Sequence, residues 1–313
     1  MTNPLTRRLA LGFAGVFALM LVFIGIRLFS WSPEPWLLQQ LNAAGFELSA
    51  DAFGARQNQG FSRTWTDVAY GNEQNDWVAS RIQISLNPVS ILIGQPQIQD
   101  IQITDGFWFS RDPNSREGLV DFARLLDALA PQRLELTGSN LVSGNLEITQ
   151  LQAVFERRGS SNRYNTQVTA QWAHNDVRAS STAQTILQWQ NDAVRLSDAE
   201  FSAEVTAGPW PGNASGQWRE ARLDGSQFAI DFLSWHSVRQ SPGKAFPNGL
   251  EWAGGLEALR FSDEGWVFTE LDSALAFSGP EPDTTHRLGT QGQYLELQNG
   301  QLTGLWAISY RQE

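Results

Sequence analysis

The sequence predicts a mainly β protein. An N-terminal transmembrane helix leads into a long, curved, mostly antiparallel β-sheet, groove-like, with one or two short amphipathic helices. Three observations carry this reading. One apolar run near the N-terminus is long enough to span a bilayer. From Phe46 onward the hydrophobic period is two, in run after run. The runs are separated by short polar turns rather than by helical segments, which argues a meander and not βαβ units.

Composition sets the outer bounds. The chain has 313 residues, 42% of them hydrophobic and 18% charged, enough for a sizeable core. Its formal net charge of −11 repels phosphates, so nucleic acid is excluded as a partner class. Cysteine is absent, which removes disulfides, thiol nucleophiles, thiolate zinc sites and a lipidated N-terminal cysteine together.

The anchor comes first. Arg7 and Arg8 precede an uncharged run from Leu9 to Ile26, and Arg27, Leu28 and Phe29 follow. About 20 apolar residues cross a bilayer as a helix. A cleaved signal peptide has a shorter apolar region and a small-x-small cleavage site, and the following IRLFSWSPEPW offers none. The paired arginines place the N-terminus in the cytoplasm. The expected organisation is a cytoplasmic tail over 1–8, a transmembrane anchor over 9–29, and a β domain over 30–313 across the membrane.

Past the anchor, Ser32-Pro-Glu-Pro35 breaks the helix, and Trp36 to Ala44 reads as a short amphipathic helix stopped by Gly45. The stretch from Arg81 to Gly106 is strand, compact turn, strand. Ile82, Ile84 and Leu86 alternate with polar residues, and after Pro-Val-Ser-Ile-Leu-Ile-Gly94 so do Ile101, Ile103, Phe107 and Phe109. Longer runs follow at Tyr164 to Trp172 and Val177 to Trp189. Shorter ones occur at Phe228, Ile230 and Phe232, and at Leu271 to Phe277; Leu302, Leu305 and Ala307 alternate with one slip. Ser115 to Ala130 departs from this, placing Leu119, Phe122, Leu126 and Leu129 at helical spacing before Pro131. One amphipathic helix amid strands is expected to cover an edge or an end of the sheet.

Catalytic patterns are not found. His174, His236 and His286 have no metal-ligand spacing, and Gly212-Asn-Ala-Ser-Gly216 is not a nucleophile elbow. No phosphate loop or dinucleotide fingerprint occurs. The expectation is therefore no enzyme, no cofactor and no metal. Aromatics are abundant, with 13 Trp and 18 Phe, many at strand-face positions. They suit either a packed interior or an apolar trough, because both need one apolar face.

The order of motifs adds a likeness. An anchor is followed by Trp36-Leu-Leu-Gln-Gln-Leu41, Gly45-Phe-Glu-Leu48 and Trp65-Thr-Asp-Val-Ala-Tyr-Gly-Asn72. Val78 to Gly94 and Ile98 to Arg111 come next. This order resembles the N-terminal region of the AsmA family of bacterial envelope proteins over about residues 34–130, with a looser likeness in 131–313. Two features depart from the family pattern: Asp112-Pro-Asn-Ser-Arg-Glu-Gly118 replaces a Gly-x-x-Asn step, and the chain is short. About 12 to 14 strands stack to roughly 60 to 65 Å.

The resemblance implies a single-pass protein of the bacterial inner membrane with its bulk in the periplasm. It implies a role in phospholipid transport or outer-membrane and envelope assembly, with acyl chains held on an apolar β-groove. The candidate groove residues are Ile82, Ile84, Leu86, Ile101, Ile103, Phe107 and Phe109. The implied partners are the membrane, phospholipid acyl chains and other envelope proteins. The alternative is a non-catalytic envelope scaffold, or a subunit like the N component of type II secretion, pairing with partner proteins.

Overall fold

The computed structural model describes residues 33–43, 55–59, 61–71, 75–110, 117–143, 145–159, 161–190, 193–208, 211–224, 227–239, 250–262, 265–278, 285–298 and 301–312. The expected anchor lies outside the described residues. Among the described residues no helix is long and apolar enough to cross a membrane.

Fifteen strands form one curved sheet in strict chain order. They are β1 Ala55–Gln59, β2 Ser62–Gly71, β3 Asn75–Leu86, β4 Ile98–Ser110, β5 Arg133–Ser143, β6 Leu146–Arg157, β7 Arg163–His174 and β8 Val177–Gln190. The rest are β9 Ala193–Ala207, β10 Gly212–Asp224, β11 Gln227–Arg239, β12 Leu250–Ser262, β13 Gly265–Ser278, β14 Thr285–Gln298 and β15 Gln301–Gln312. Three helices accompany them: α1 Glu34–Ala43, α2 Pro88–Leu92 and α3 Glu117–Leu129.

Every described pairing is antiparallel except β4 with β5, which is parallel. A parallel step needs a crossover, and α3 lies in the segment that supplies it. The compact turn after Leu86 is α2. Asn87 caps it, its Oδ1 accepting from Val89 N at 3.0 Å, and Pro88 opens it where no N–H is needed. Gly94, at φ +77°, ends that connection in the left-handed region.

The helices cover one face of the first strands. Leu37 and Leu41, one turn apart on α1, are buried in one cluster with Leu126 and Leu129 of α3. The same cluster holds Trp65, Ile84, Ile101, Leu134, Phe155, Tyr164, Leu187 and Val194, from β2 through β9. The Phe122 and Phe155 rings lie 5.1 Å apart. The C-terminal end of α3 is tied to the sheet by polar contacts. Arg157 Nη1 donates to Ala130 O at 3.1 Å, and the Tyr164 hydroxyl donates to Leu126 O at 3.3 Å. An arginine at that end also meets the negative pole of the helix.

A seam crosses the sheet. Asp67, Asp105, Gln150, Asp198, Ala258 and Tyr294 stand in mid-strand with φ between +49° and +56°, and Gly138 with φ +65°. At each such step the chain turns half over, so its inward side passes to the other parity. Inward residues are then three apart instead of two: Trp65 and Val68, Ile103 and Gly106, Leu196 and Ala199, Leu256 and Leu259, Gly292 and Leu295. Strands without a left-handed residue follow suit, as in Ala79 and Ile82 of β3 and Ile230 and Leu233 of β11. Only β7 and β8 of the strands from β2 to β14 keep one parity throughout. Left-handed backbone costs an ordinary residue about 1–2 kcal/mol, and after glycine asparagine and aspartate are among the residues that tolerate it best.

Candidate functional site: the apolar face beyond the seam

The seam redistributes the seven residues that the sequence singles out. Ile82, Ile84, Leu86, Ile101 and Ile103 are 2–9% exposed and belong to the cluster beneath α1 and α3. Phe107 and Phe109, beyond Asp105 on the same strand, turn away from them and are 40% and 39% exposed. Their place on that outer side is shared by Val78, the register partner of Phe107, which is 45% exposed. The strict alternation from Ile101 to Phe109 is thus broken by one residue in the left-handed region. Phe232 behaves likewise. Past Asp231 it leaves the side of Ile230 and sits with the guanidinium of Arg219, 5.7 Å from its ring centroid.

The apolar face itself continues. Ile230 and Leu259 form a second buried cluster, against which Trp218, Leu233, Leu256 and Phe268 pack. All of these are strand residues from β10 to β13. Beyond the seam the inward positions of β9 to β13 are Phe201, Trp218, Leu233, Trp235, Trp252, Leu271, Leu275 and Phe277, and all are partly exposed. Trp252 is the most open of them at 47%.

Register explains how these rings sit. A single row of opposed residues runs Phe201, Gly216, Trp235, Gly254, Ser273. Large and small alternate, and each ring lies over the neighbouring glycine. A Cβ at Gly216 would meet Phe201 Cζ at 2.5 Å, and one at Gly254 would meet Trp235 Cζ2 at 2.6 Å. Phe201 and Trp218 stand 5.7 Å apart, and Trp235 meets Trp252 edge-on at 5.3 Å. The indole Nε1 atoms of Trp218 and Trp235 are buried and have no hydrogen-bond partner. A buried donor left so costs about 1–3 kcal/mol. This surface can take an extended apolar group.

The opposite side of the same strands is polar. A shallow depression of about 610 Å³ is lined there by Thr169, Thr182, Ser202, Glu204, Asn213 and His236, among others. His236 Nε2 is 2.7 Å from Glu251 Oε1, an exposed pair. Among the described residues no group of three or more His, Asp or Glu is placed to hold a metal ion.

The rows of large and small residues were not singled out by the sequence reading, which fixed on β3 and β4. A signal was present in the alternating runs of aromatics from Trp172 onward, but pairing Trp235 with Gly254 needs the register. No protein-family model matches this chain, and no curated protein shows a significant match.

Proposed function

We propose that this chain is a membrane-anchored periplasmic protein of AsmA type, acting in phospholipid transport or outer-membrane assembly. It holds acyl chains on the apolar face of β9 to β13 and performs no catalytic step. One observation carries the reading: the apolar face runs past the part covered by helices and stays partly exposed for five strands, with Trp252 at 47%. Contiguous apolar surface left open to water is a mark of an interaction or ligand-binding site. Covering each large side chain with an acyl chain contributes about 1.5–3 kcal/mol. Phe107 and Phe109 and the five buried residues of β3 and β4 serve the scaffold in this account.

The test is lipid retention. The full chain, extracted in a mild non-lipid detergent and weighed by native mass spectrometry, is expected to carry phospholipid. The Trp252→Asp variant is expected to carry much less at unchanged secondary structure. A parent protein free of lipid, or a variant that retains all of it, overturns the proposal. The second reading, a non-catalytic scaffold that pairs with other envelope proteins, draws on the exposed Leu305, Ile308 and Tyr310 of β15.

A further inference from the structure

One corner of the sheet holds large apolar side chains out to water. Phe61, in the turn between β1 and β2, is 43% exposed. Val89 of α2 and its C-cap Ile93 are 64% and 66% exposed, and Leu92 between them is exposed as well. Leu86 N donates to Phe61 O at 3.2 Å, so the two connections lie side by side. From Leu86 to Gln99 the chain carries no charged residue. The α2 turn also answers much of its own backbone. Ile91 N donates to Asn87 O at 3.3 Å, Ile93 N to Val89 O at 3.2 Å, and Gln95 N to Ser90 O at 2.9 Å. The Ser90 hydroxyl donates to Asn87 O at 2.6 Å and accepts from Gln97 N at 2.9 Å. A turn bonded to itself in this way can leave water, because lipid offers no partner to a bare N–H or carbonyl.

We propose that this corner dips into a bilayer surface. Phe61, Val89, Leu92 and Ile93 enter the interfacial layer of the membrane that holds the anchor, as a second and shallow contact. The inference rests on the proposed anchor for which membrane is met, and not on what the face of β9 to β13 binds. Reach favours that membrane. Residues 30–32 alone separate the expected anchor from Pro33, and three residues span at most about 10 Å. Pro33 is fully buried, and Leu37, one turn on, belongs to the buried cluster that also holds Ile91 of α2. The segment leaving α3 reaches the same corner, where Gln132 N donates to Ile98 O at 3.2 Å. Charge favours a lipid surface too. The chain as a whole is acidic, but on the turn between β6 and β7, at the same end of the sheet, Arg158 and Arg163 are exposed. Both bond to neutral side chains, Asn165 and Gln188. Their long stems let the guanidinium groups stay among lipid phosphates while apolar neighbours go deeper. A protein partner fits less well, since such interfaces carry about one hydrogen bond per 100–200 Å² and this turn has spent much of its backbone on itself.

The absence of cysteine lets one thiol report on one position. The full chain carrying Ile93→Cys, labelled with a nitrobenzoxadiazole dye, is reconstituted in vesicles of phosphatidylethanolamine and phosphatidylglycerol. Its emission is expected to shift to the blue, and nitroxide-bearing lipid is expected to quench it several-fold more than a water-soluble quencher does. Phe109→Cys, at the other end of β4 and 39% exposed, is expected to show the reverse order. Adding Leu92→Asp to the labelled Ile93→Cys chain is expected to return the dye to water, with dichroism unchanged because both positions are on the surface. A chain that floats with the vesicles while position 93 is as open to water as position 109 overturns the proposal and leaves the anchor standing. A chain that does not float overturns both. Shielding of position 93 from both quenchers, as a contact with another protein chain would give, overturns the proposal as well.

Discussion

Asp105 and Gly138 lie beside each other on the one parallel pair of strands, both in the left-handed region, at φ +50° and +65°. A Cβ added to Gly138 would stand 2.7 Å from Asp105 Oδ1, so the aspartate side chain occupies the space that the glycine leaves. The two residues together carry the seam across the one parallel step among the described strands. What they fix is which side of β4 and β5 faces inward beyond them.

Substitution at these positions should run against ordinary strand preference. Valine favours strands in general. Asp105→Val nevertheless should lower stability by about 1–2 kcal/mol or more, because a β-branched side chain fits φ +50° poorly. Asp105→Asn should be close to neutral. Gly138→Ala should cost about 1–2 kcal/mol, mainly from φ, since the carboxylate in its way can swing aside. Urea midpoints of the three variants check this, and a stabilised Asp105→Val would refute the seam.

The adjacent glycines of β12 should behave oppositely. At Gly254 a Cβ would press on Trp235 Cζ2 at 2.6 Å and on Asp272 O at 2.7 Å, and the latter is backbone. Gly254→Ala should cost about 1–3 kcal/mol and shift tryptophan fluorescence as the ring is displaced. At Gly255 the nearest atom would be Leu233 O at an ordinary 3.5 Å. Gly255→Ala should be neutral or slightly stabilising, as alanine loses less entropy on folding. Thermal melts with fluorescence and far-ultraviolet dichroism distinguish the pair.

Burial separates core from binding surface. Ile103, 7% exposed within the helix-covered cluster, has no route to water for a charge. Ile103→Asp should unfold the first half of the sheet, as exposure of its amides to exchange would report. Trp252→Asp, at a position 47% exposed, should leave the dichroism spectrum unchanged. Equal loss of structure in both variants would mean that β12 is packed as tightly as β4.

Tyr164 makes the attachment of α3 sensitive to alkali. Burial pushes its phenol up to about 12, against an ordinary value near 10. Between those values the unfolded chain has released the proton and the folded one still holds it. Stability is therefore intact below pH 10 and falls as pH rises towards 12, by about 2–3 kcal/mol in all. Tyr164→Phe should remove that part of the decline, so between pH 9 and pH 11.5 the parent's urea midpoint should fall relative to the variant's. Parallel curves would show that the phenol ionises freely in the folded state.

Asp100 has the same sign. Burial raises its carboxyl above the usual value, despite the hydrogen bond from Gln102 and the charge of Arg133. A group whose folded pKa is raised stabilises less once it ionises. Its contribution declines as pH rises from the normal carboxylate value through the raised one, and Asp100→Asn should flatten the stability profile there.

The sheet and its helices were legible because period and punctuation are local. Tyr164 to Trp172 and Val177 to Trp189 alternate without a slip, and these are the two strands that cross the seam straight. The helix read from Ser115 to Ala130 is observed over Glu117–Leu129. What misled was one residue per strand. Ile103-Thr-Asp-Gly106 and Leu196-Ser-Asp-Ala199 carry the change of side as an apolar step of three with a tolerant residue inside it. Phe107 and Phe109 keep the parity of Ile103 in the sequence and leave its side in space. The same step recurs as Trp65 to Val68 and Leu256 to Leu259, so the signal existed, but only comparison of many strands reveals it. The aromatic rows on β9 to β13 depend on pairings between strands, which no single strand encodes.

In the proposed arrangement acyl chains lie on β9 to β13 and not among the side chains of β3 and β4. A phospholipid bearing a photoreactive group in its acyl chain, bound to the full chain and cross-linked, tests it most directly by the positions of the adducts. Adducts are expected to cluster on β9 to β13, at Trp218, Trp235, Trp252 and Leu271. Adducts confined to the residues around Ile82, Ile101 and Ile103, or scattered over the polar side at Thr182 and Ser202, would contradict it.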